Sequence, residues 1–231
     1  MKPFRFQKFA INQHPDVFRV GTDGVLLGAL ANVESARNIL EVGTGTGLIS
    51  LMTAQRNCAA TIAAIDFNSL AAELARENFD NSPYYDRLSI FTQDFKTFQP
   101  KDKFDLIISN PPYFEKNASG KDIIARQQQE LTFEDLISKS SQFLHDNGLF
   151  SVIIPWTSVF NFKNIAEENG LFLVRTVQIF GIESSSVKRA ILEFKKNLNE
   201  SESKEIFIIE KSPRVYSDQY LKATENFHIF G

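Results

Sequence analysis

From Asn38 onward, short apolar runs alternate with longer segments in which apolar residues recur every three or four positions. A strand buried on both faces reads as a continuous apolar run, and a covering helix reads as a stripe of period 3.6, so the pattern predicts an α/β core with helices on both faces of a mostly parallel sheet. The runs place strands at 39–42, 62–66, 88–91, 104–109, 149–155, 171–180 and 190–194. Helices are expected over 48–56, 69–80, 133–144 and 158–168. Thr132, three residues before Asp135, offers a capping-box-like start, and Gly148 and Gly170 stand where helices usually stop. The segment 181–189 is too short for a helical crossover, so the last two of these seven strands are expected to run antiparallel.

Two segments flank this core. Residues 1–37 are expected to form a small cap of their own, with Phe4, Phe6, Phe9 and Phe18 spaced for a packed unit and an apolar helix starting at Val25; the main domain then spans 38–231. The tail adds a strand at 206–210 and an aromatic-bearing stretch over 216–230. Between strand and helix, 113–130 is polar and longer than the usual ~2 to 6 residues, which suits a functional loop.

Composition narrows the function classes. At 231 residues, 43% hydrophobic and 23% charged, the chain has ordinary globular usage. It has no long uncharged apolar window, and its start, Met1 to Phe6, lacks the apolar region of a secretory signal, so a cytoplasmic protein is expected. The single cysteine, Cys58, excludes an internal disulfide and thiolate metal clusters. Net charge is −3, which argues against broad backbone binding to nucleic acid. Basic residues nevertheless gather at Lys2, Arg5, Lys8 and Arg19, at Lys116, Lys121 and Arg126, and at Lys188, Arg189, Lys195 and Lys196. The 22 phenylalanines are read mostly as core, and His14, His145 and His228 as surface or packing residues.

The first core strand runs into Glu41-Val42-Gly43-Thr44-Gly45-Thr46-Gly47, followed by a helix, the place where an open α/β sheet binds a nucleotide-like ligand. Gly47 follows Gly45 by two positions rather than three, which disfavours a dinucleotide fingerprint. Asp66 closes the second strand, where a carboxylate can accept from ribose hydroxyls. These residues resemble the class I S-adenosylmethionine methyltransferases over roughly 36–195. The resemblance implies a Rossmann-like sheet of seven strands with the last antiparallel. It also implies that Glu41 orients the methionyl end of the cofactor, that Asp94 accepts from the adenine amine, and that Phe67 and Phe95 flank the adenine ring.

The fourth strand delivers Asn110-Pro111-Pro112-Tyr113 to the same edge. An amino group on a heteroaromatic ring is a poor nucleophile because its lone pair is delocalised. The Asn110 side-chain oxygen and the Pro111 carbonyl can each take one N–H, drawing the nitrogen toward pyramidal geometry, while the two prolines fix the backbone. Tyr113 offers a face on which a base can stack, typically worth about 1 to 3 kcal/mol. This chemistry needs no metal. The motif is shared by enzymes that methylate protein glutamine and, with a different aromatic, guanine, so it leaves the acceptor open.

Phe4-Arg5-Phe6-Gln7-Lys8-Phe9 and Val20-Gly21-Thr22-Asp23-Gly24-Val25-Leu26-Leu27-Gly28, with Phe114, Ala125-Arg126 and Tyr216, resemble the bacterial tRNA adenine-N6 methyltransferases over nearly the full length. Members of that family modify adenosine 37, immediately 3′ of the anticodon, in a valine tRNA. The resemblance implies that Thr22 and Asp23 reach over the methionyl end and that the partner is a tRNA anticodon loop; the chain is expected to act as a monomer. Pro112, Phe114, Lys116, Arg126, Lys188 and Arg189 are expected on the RNA side. An unpaired loop adenosine also costs less to extrude than a duplex base. The rival acceptors are ribosomal RNA and a protein glutamine, the latter disfavoured because 37 residues are too few for a helical N-terminal domain. A non-catalytic S-adenosylmethionine-binding module is a further alternative, opposed by the intact Asn110 and Asp94.

Overall fold

The computed structural model describes residues 1–112, 131–197 and 201–229. Among them the chain runs through strands β1 (Phe4–Arg5) and β2 (Ala10–Ile11), helix α1 (Thr22–Leu30), β3 (Asn38–Val42), α2 (Leu48–Arg56), β4 (Thr61–Asp66), α3 (Ser69–Asp80), β5 (Leu88–Thr92) and β6 (Phe104–Ser109). It continues with α4 (Phe133–Phe143), β7 (Leu144–Pro155), α5 (Val159–Glu168), β8 (Phe172–Ile182), β9 (Val187–Lys195), β10 (Ser203–Ser212), β11 (Val215–Tyr216) and α6 (Asp218–Thr224).

The main sheet has the order β11-β10-β8-β9-β7-β6-β3-β4-β5. Strands β3 to β7 pair parallel, and β9 runs antiparallel to both β7 and β8, as the short 181–189 connection requires. Among the described residues the sheet has nine strands rather than seven. β8 would otherwise end the sheet with a row of unpaired backbone groups; β10 pairs with it in parallel, and β11 follows antiparallel. Phe207 of β10 and Tyr220 of α6 are buried in the core this addition extends.

Helix ends follow local chemistry. Asn68 caps α3 by accepting from Leu70 N and Ala71 N. Thr132 caps α4, its Oγ1 accepting from Asp135 N at 3.1 Å. Gly148 does not end α4: the helix stops at Phe143, and Gly148 lies inside β7, at the irregular pairing between Phe104 and Leu106 of β6. A Cβ there would lie 2.9 Å from Leu144 Cδ2 and 3.0 Å from the Phe104 carbonyl oxygen, so close backbone approach at the bulge, not a helix end, is what calls for glycine.

The first 37 residues share the core with the sheet. Leu26, Leu27, Ala31, Val33 and Ala36 cluster with Ile39, Ile62, Leu106 and Ile108, and Phe6, Phe9, Ile11 and Val25 cluster with Leu51, Met52 and Phe79. His228 stacks on Phe6 at 5.5 Å and on Tyr220 at 6.0 Å, so the tail closes over the same aromatic group. Phe18 departs from expectation. It is 75% exposed, and Val17 is the residue buried at that turn.

Candidate active site

The carboxyl ends of β3, β4, β5 and β6 open onto one cleft of about 450 Å³. Strand β3 turns through Gly43, Gly45 and Gly47, all with positive φ, at 73°, 56° and 82°. At Gly47 this is required twice over: the backbone is left-handed, and a Cβ would lie 2.5 Å from the Phe79 ring. Gly43 N and Thr44 N donate to Ile65 O, and Gly45 N donates to Asp66 Oδ2 at 2.9 Å, which joins the loop to β4. Gly43 and Gly45 line the cleft, whereas Gly47 starts α2 behind it.

Glu41 lies beneath the loop, 1% exposed. Its Oε2 accepts from Thr44 Oγ1 at 2.7 Å, from Ser50 N at 2.9 Å and from Ser50 Oγ. Its Oε1 is buried without a hydrogen-bond partner among the described residues. Burial drives its pKa up to about 7, against the lowering effect of those three donors.

Asp66, at the end of β4, is nearly buried; its Oδ1 accepts from Asn68 N and its Oδ2 from Gly45 N. Burial raises its pKa. Each carboxylate oxygen retains a second lone pair, and Asp66 lines the cleft. Asp94, two residues past β5, lines the cleft and accepts from Lys96 N at 2.8 Å. Of the two phenylalanines expected at a ring, Phe67 is 61% exposed in the cleft, whereas Phe95 is 4% exposed and packs edge-on against Phe143. Phe95 therefore touches the cleft only as part of its wall.

Ser109, the last residue of β6, donates Oγ–H to Val42 O at 2.8 Å, pinning the ends of β6 and β3 together. Asn110, half-buried, and Pro111 and Pro112 thus leave the sheet beside the glycine loop, and all three line the cleft. The other expected residues distribute as follows. Thr22 is exposed at the start of α1, and Asp23 is ion-paired to Arg189 of β9; Gly21 and Gly24 are the α1 neighbours that line the cleft. Lys188 is exposed beside Arg189. Tyr113, Phe114, Lys116 and Arg126 lie outside the described residues.

Sequence reasoning did not assign Asp16, Val17, Phe18 and Arg19 to the cleft, although they form one of its walls. Their signal was a bulky aromatic in a polar turn just ahead of the Val20–Gly28 motif. Gln93 and Leu131 also line the cleft without any motif to mark them.

The family model for the methyltransferase small domain matches residues 9–161. A tRNA1(Val) (adenine(37)-N6)-methyltransferase of a Flavobacteriaceae bacterium (strain 3519-10) is 59% identical over 230 residues, covering 100% of both chains. One of the same description from Phocaeicola vulgatus is 43% identical over 98% of this chain and 97% of its own. Among solved structures, a predicted O-methyltransferase from Agrobacterium tumefaciens superposes with a TM-score of 0.69 at 20% identity, over 89% of this chain and 96% of that one. A methyltransferase from Pyrococcus furiosus does so with a TM-score of 0.60, over 82% and 90%. These likenesses show the class I methyltransferase fold. With its core matched by the family model and its whole length by these relatives, the chain belongs to the methyltransferase small domain family, among the tRNA1(Val) (adenine(37)-N6)-methyltransferases.

Proposed function

We propose that the protein transfers a methyl group from S-adenosylmethionine to N6 of adenosine 37 in a valine tRNA. The observation that carries this reading is the pinning of Asn110-Pro111-Pro112 against the glycine loop in one cleft, in a chain matched end to end by relatives of that description.

The residues fit an S-adenosylmethionine molecule. A Cβ at Gly43 would meet nothing within 4 Å, so the missing side chain leaves space directly over the loop. Glu41 presents a buried, unpartnered oxygen suited to an ammonium group, directly or through water. Asp66 would hold the ribose hydroxyls, Asp94 the adenine amine and Phe67 one ring face. S-adenosylmethionine supplies an electrophilic methyl on a sulfonium centre. The Asn110 side-chain oxygen and Pro111 carbonyl would accept the two N6 hydrogens and localise the nitrogen lone pair toward the methyl that S-adenosylmethionine would supply, the displaced proton leaving to solvent. The buried Pro111 and the half-buried Asn110, held beside the Ser109–Val42 bond, keep these acceptors preorganised. Tyr113 is the stacking face for the adenine, Phe114, Lys116 and Arg126 contact the loop around it, and residues 1–37 serve as its cap. On this reading the enzyme works in the cytoplasm, as a monomer and without a metal ion.

Incubation with tritiated S-adenosylmethionine and tRNA from a strain lacking the enzyme, followed by nucleoside digestion, tests the proposal. Label in N6-methyladenosine, reduced roughly 100- to 1000-fold or more by Asn110→Ala, is the expected result. Label in ribosomal RNA or protein would preserve the chemistry and overturn the acceptor. Cofactor binding without transfer to any acceptor would leave a non-catalytic module.

A further inference from the structure

We propose that Trp156 and Phe160, flanked by Lys188, form a platform on which the nucleotides next to the methylated adenosine stack; this rests on the cleft being an RNA adenine site. Phe160 is 78% exposed and Trp156 is 36% exposed. Trp156 opens a 3-10 turn (Trp156–Ser158) that leads straight into α5, so the two aromatics stand four residues apart. Helix α5 already commits an apolar face to the core through Phe162 and Ala166. Phe160 adds nothing to that face, and with Trp156 four residues before it an exposed apolar pair, not a single scattered side chain, stands at this end of the helix.

The register fixes where this pair sits. Ser109 of β6 pairs with Val152 of β7, and β7 continues three residues further to Pro155 before Trp156. Over the same three residues the neighbouring chain passes through Asn110, Pro111 and Pro112. Pro155 pairs on its other side with Arg189 of β9, and β9 contacts the 3-10 turn, which brings Lys188 to this rim. Of the acids around the β8–β9 hairpin, Asp23 pairs with Arg189 at 2.9 Å, while Glu183 is exposed in the β8–β9 turn.

A loop base drawn into the cleft pulls its 5′ and 3′ neighbours to the rim, and extrusion has removed one stacking partner from each. Aromatic faces with an adjacent cation answer both needs, because every base has a π-face and every nucleotide a phosphate. The acidic net charge of the chain makes such short-range contacts the more necessary for affinity.

The test uses the full-length protein, S-adenosylmethionine and an unmodified valine tRNA anticodon stem-loop transcript. Trp156→Ala and Phe160→Ala should each weaken RNA binding and raise the RNA KM by roughly 5- to 150-fold, with kcat at saturating RNA and cofactor affinity within about twofold of wild type. Trp156→Phe should restore most of the loss, since a ring is what the contact requires, and Lys188→Ala should reduce the salt dependence of RNA binding. Folded alanine variants that bind the stem-loop as tightly as wild type would overturn the platform. So would a variant whose main change is the loss of a self-associated state, which would assign the pair to a second copy of the chain. If wild type itself methylates no tRNA, the adenine-site reading fails. If wild type is active and the variants bind normally, only the platform fails.

Discussion

Arg189 Nε of β9 lies 2.9 Å from Asp23 Oδ2 in the first turn of α1. The ion pair ties the start of α1, where Gly21 and Gly24 line the cleft, to β9. With the two side chains 36% and 25% exposed, solvent screening limits the pair to about 1 kcal/mol or less of stability. Its consequence is positional. Asp23→Asn is expected to weaken S-adenosylmethionine binding by about two- to fivefold, and the double variant Asp23→Asn/Arg189→Gln should be little worse than either single one. Calorimetric titration of the four proteins checks this; additive losses would mean that the two side chains act on different ligands.

Glu41 makes the apo protein sensitive to pH. Its folded pKa of about 7 stands above the ordinary 4.5, so between those values the folded chain holds a proton that the unfolded chain has lost. Stability from this group therefore falls as pH rises through that window, by up to roughly 3 kcal/mol, and is flat above and below it. Asp66, also raised by burial, contributes in the same sense. Denaturant titrations at pH 5 and pH 7.5 should show wild type losing stability relative to Glu41→Gln on going to the higher pH. An unchanged difference between the two proteins would place the Glu41 carboxyl in its ionised form throughout.

Gly47 and Gly43 share a positive φ but not a neighbourhood. Gly47→Ala drives a methyl into the Phe79 ring as well as straining the backbone, and should cost about 2 kcal/mol or more of stability. Gly43→Ala meets no protein atom, so about 1 kcal/mol of backbone strain is its main cost to the apo protein. Its methyl enters the space over the loop, and cofactor affinity should fall at least tenfold. Urea midpoints and cofactor titrations together separate the two; a Gly43→Ala protein with wild-type cofactor affinity would remove Gly43 from the binding surface.

Asn110 acts through its side-chain oxygen. Asn110→Asp keeps an acceptor at nearly the same position, whereas Asn110→Ala removes it, so the aspartate variant should retain more activity than the alanine variant in single-turnover methyl transfer. Equal loss in both would point to the amide N–H2 group as the part the reaction needs.

Much of this was legible along the chain, for local reasons. The strands 39–42, 62–66 and 104–109 and the helices over 48–56 and 69–80 were set by apolar period, and the start of the helix after Thr132 by a cap that acts within one turn. Gly43, Gly45, Asp66 and Asn110 could be placed in one site because parallel strands joined by helices deliver their carboxyl ends to one edge. Phe95, expected beside a ligand ring, lines the cleft but is buried against Phe143, and Phe18, expected in a packed unit, is exposed at the cleft wall. An aromatic side chain is equally apolar in either place, and only the packing around it chooses.

The sequence by itself therefore determined the α/β succession, the antiparallel β9 and the chemistry of the two motifs, because these depend on spacing between neighbours. Only the tertiary structure decided that β10 covers the open edge of β8, that Asp23 meets Arg189 across 166 positions, and that the turn from Asp16 to Arg19 walls the cleft. Those outcomes turn on which backbone edges and charges remain unmatched once the core has closed, a property of the folded surface that no local pattern encodes.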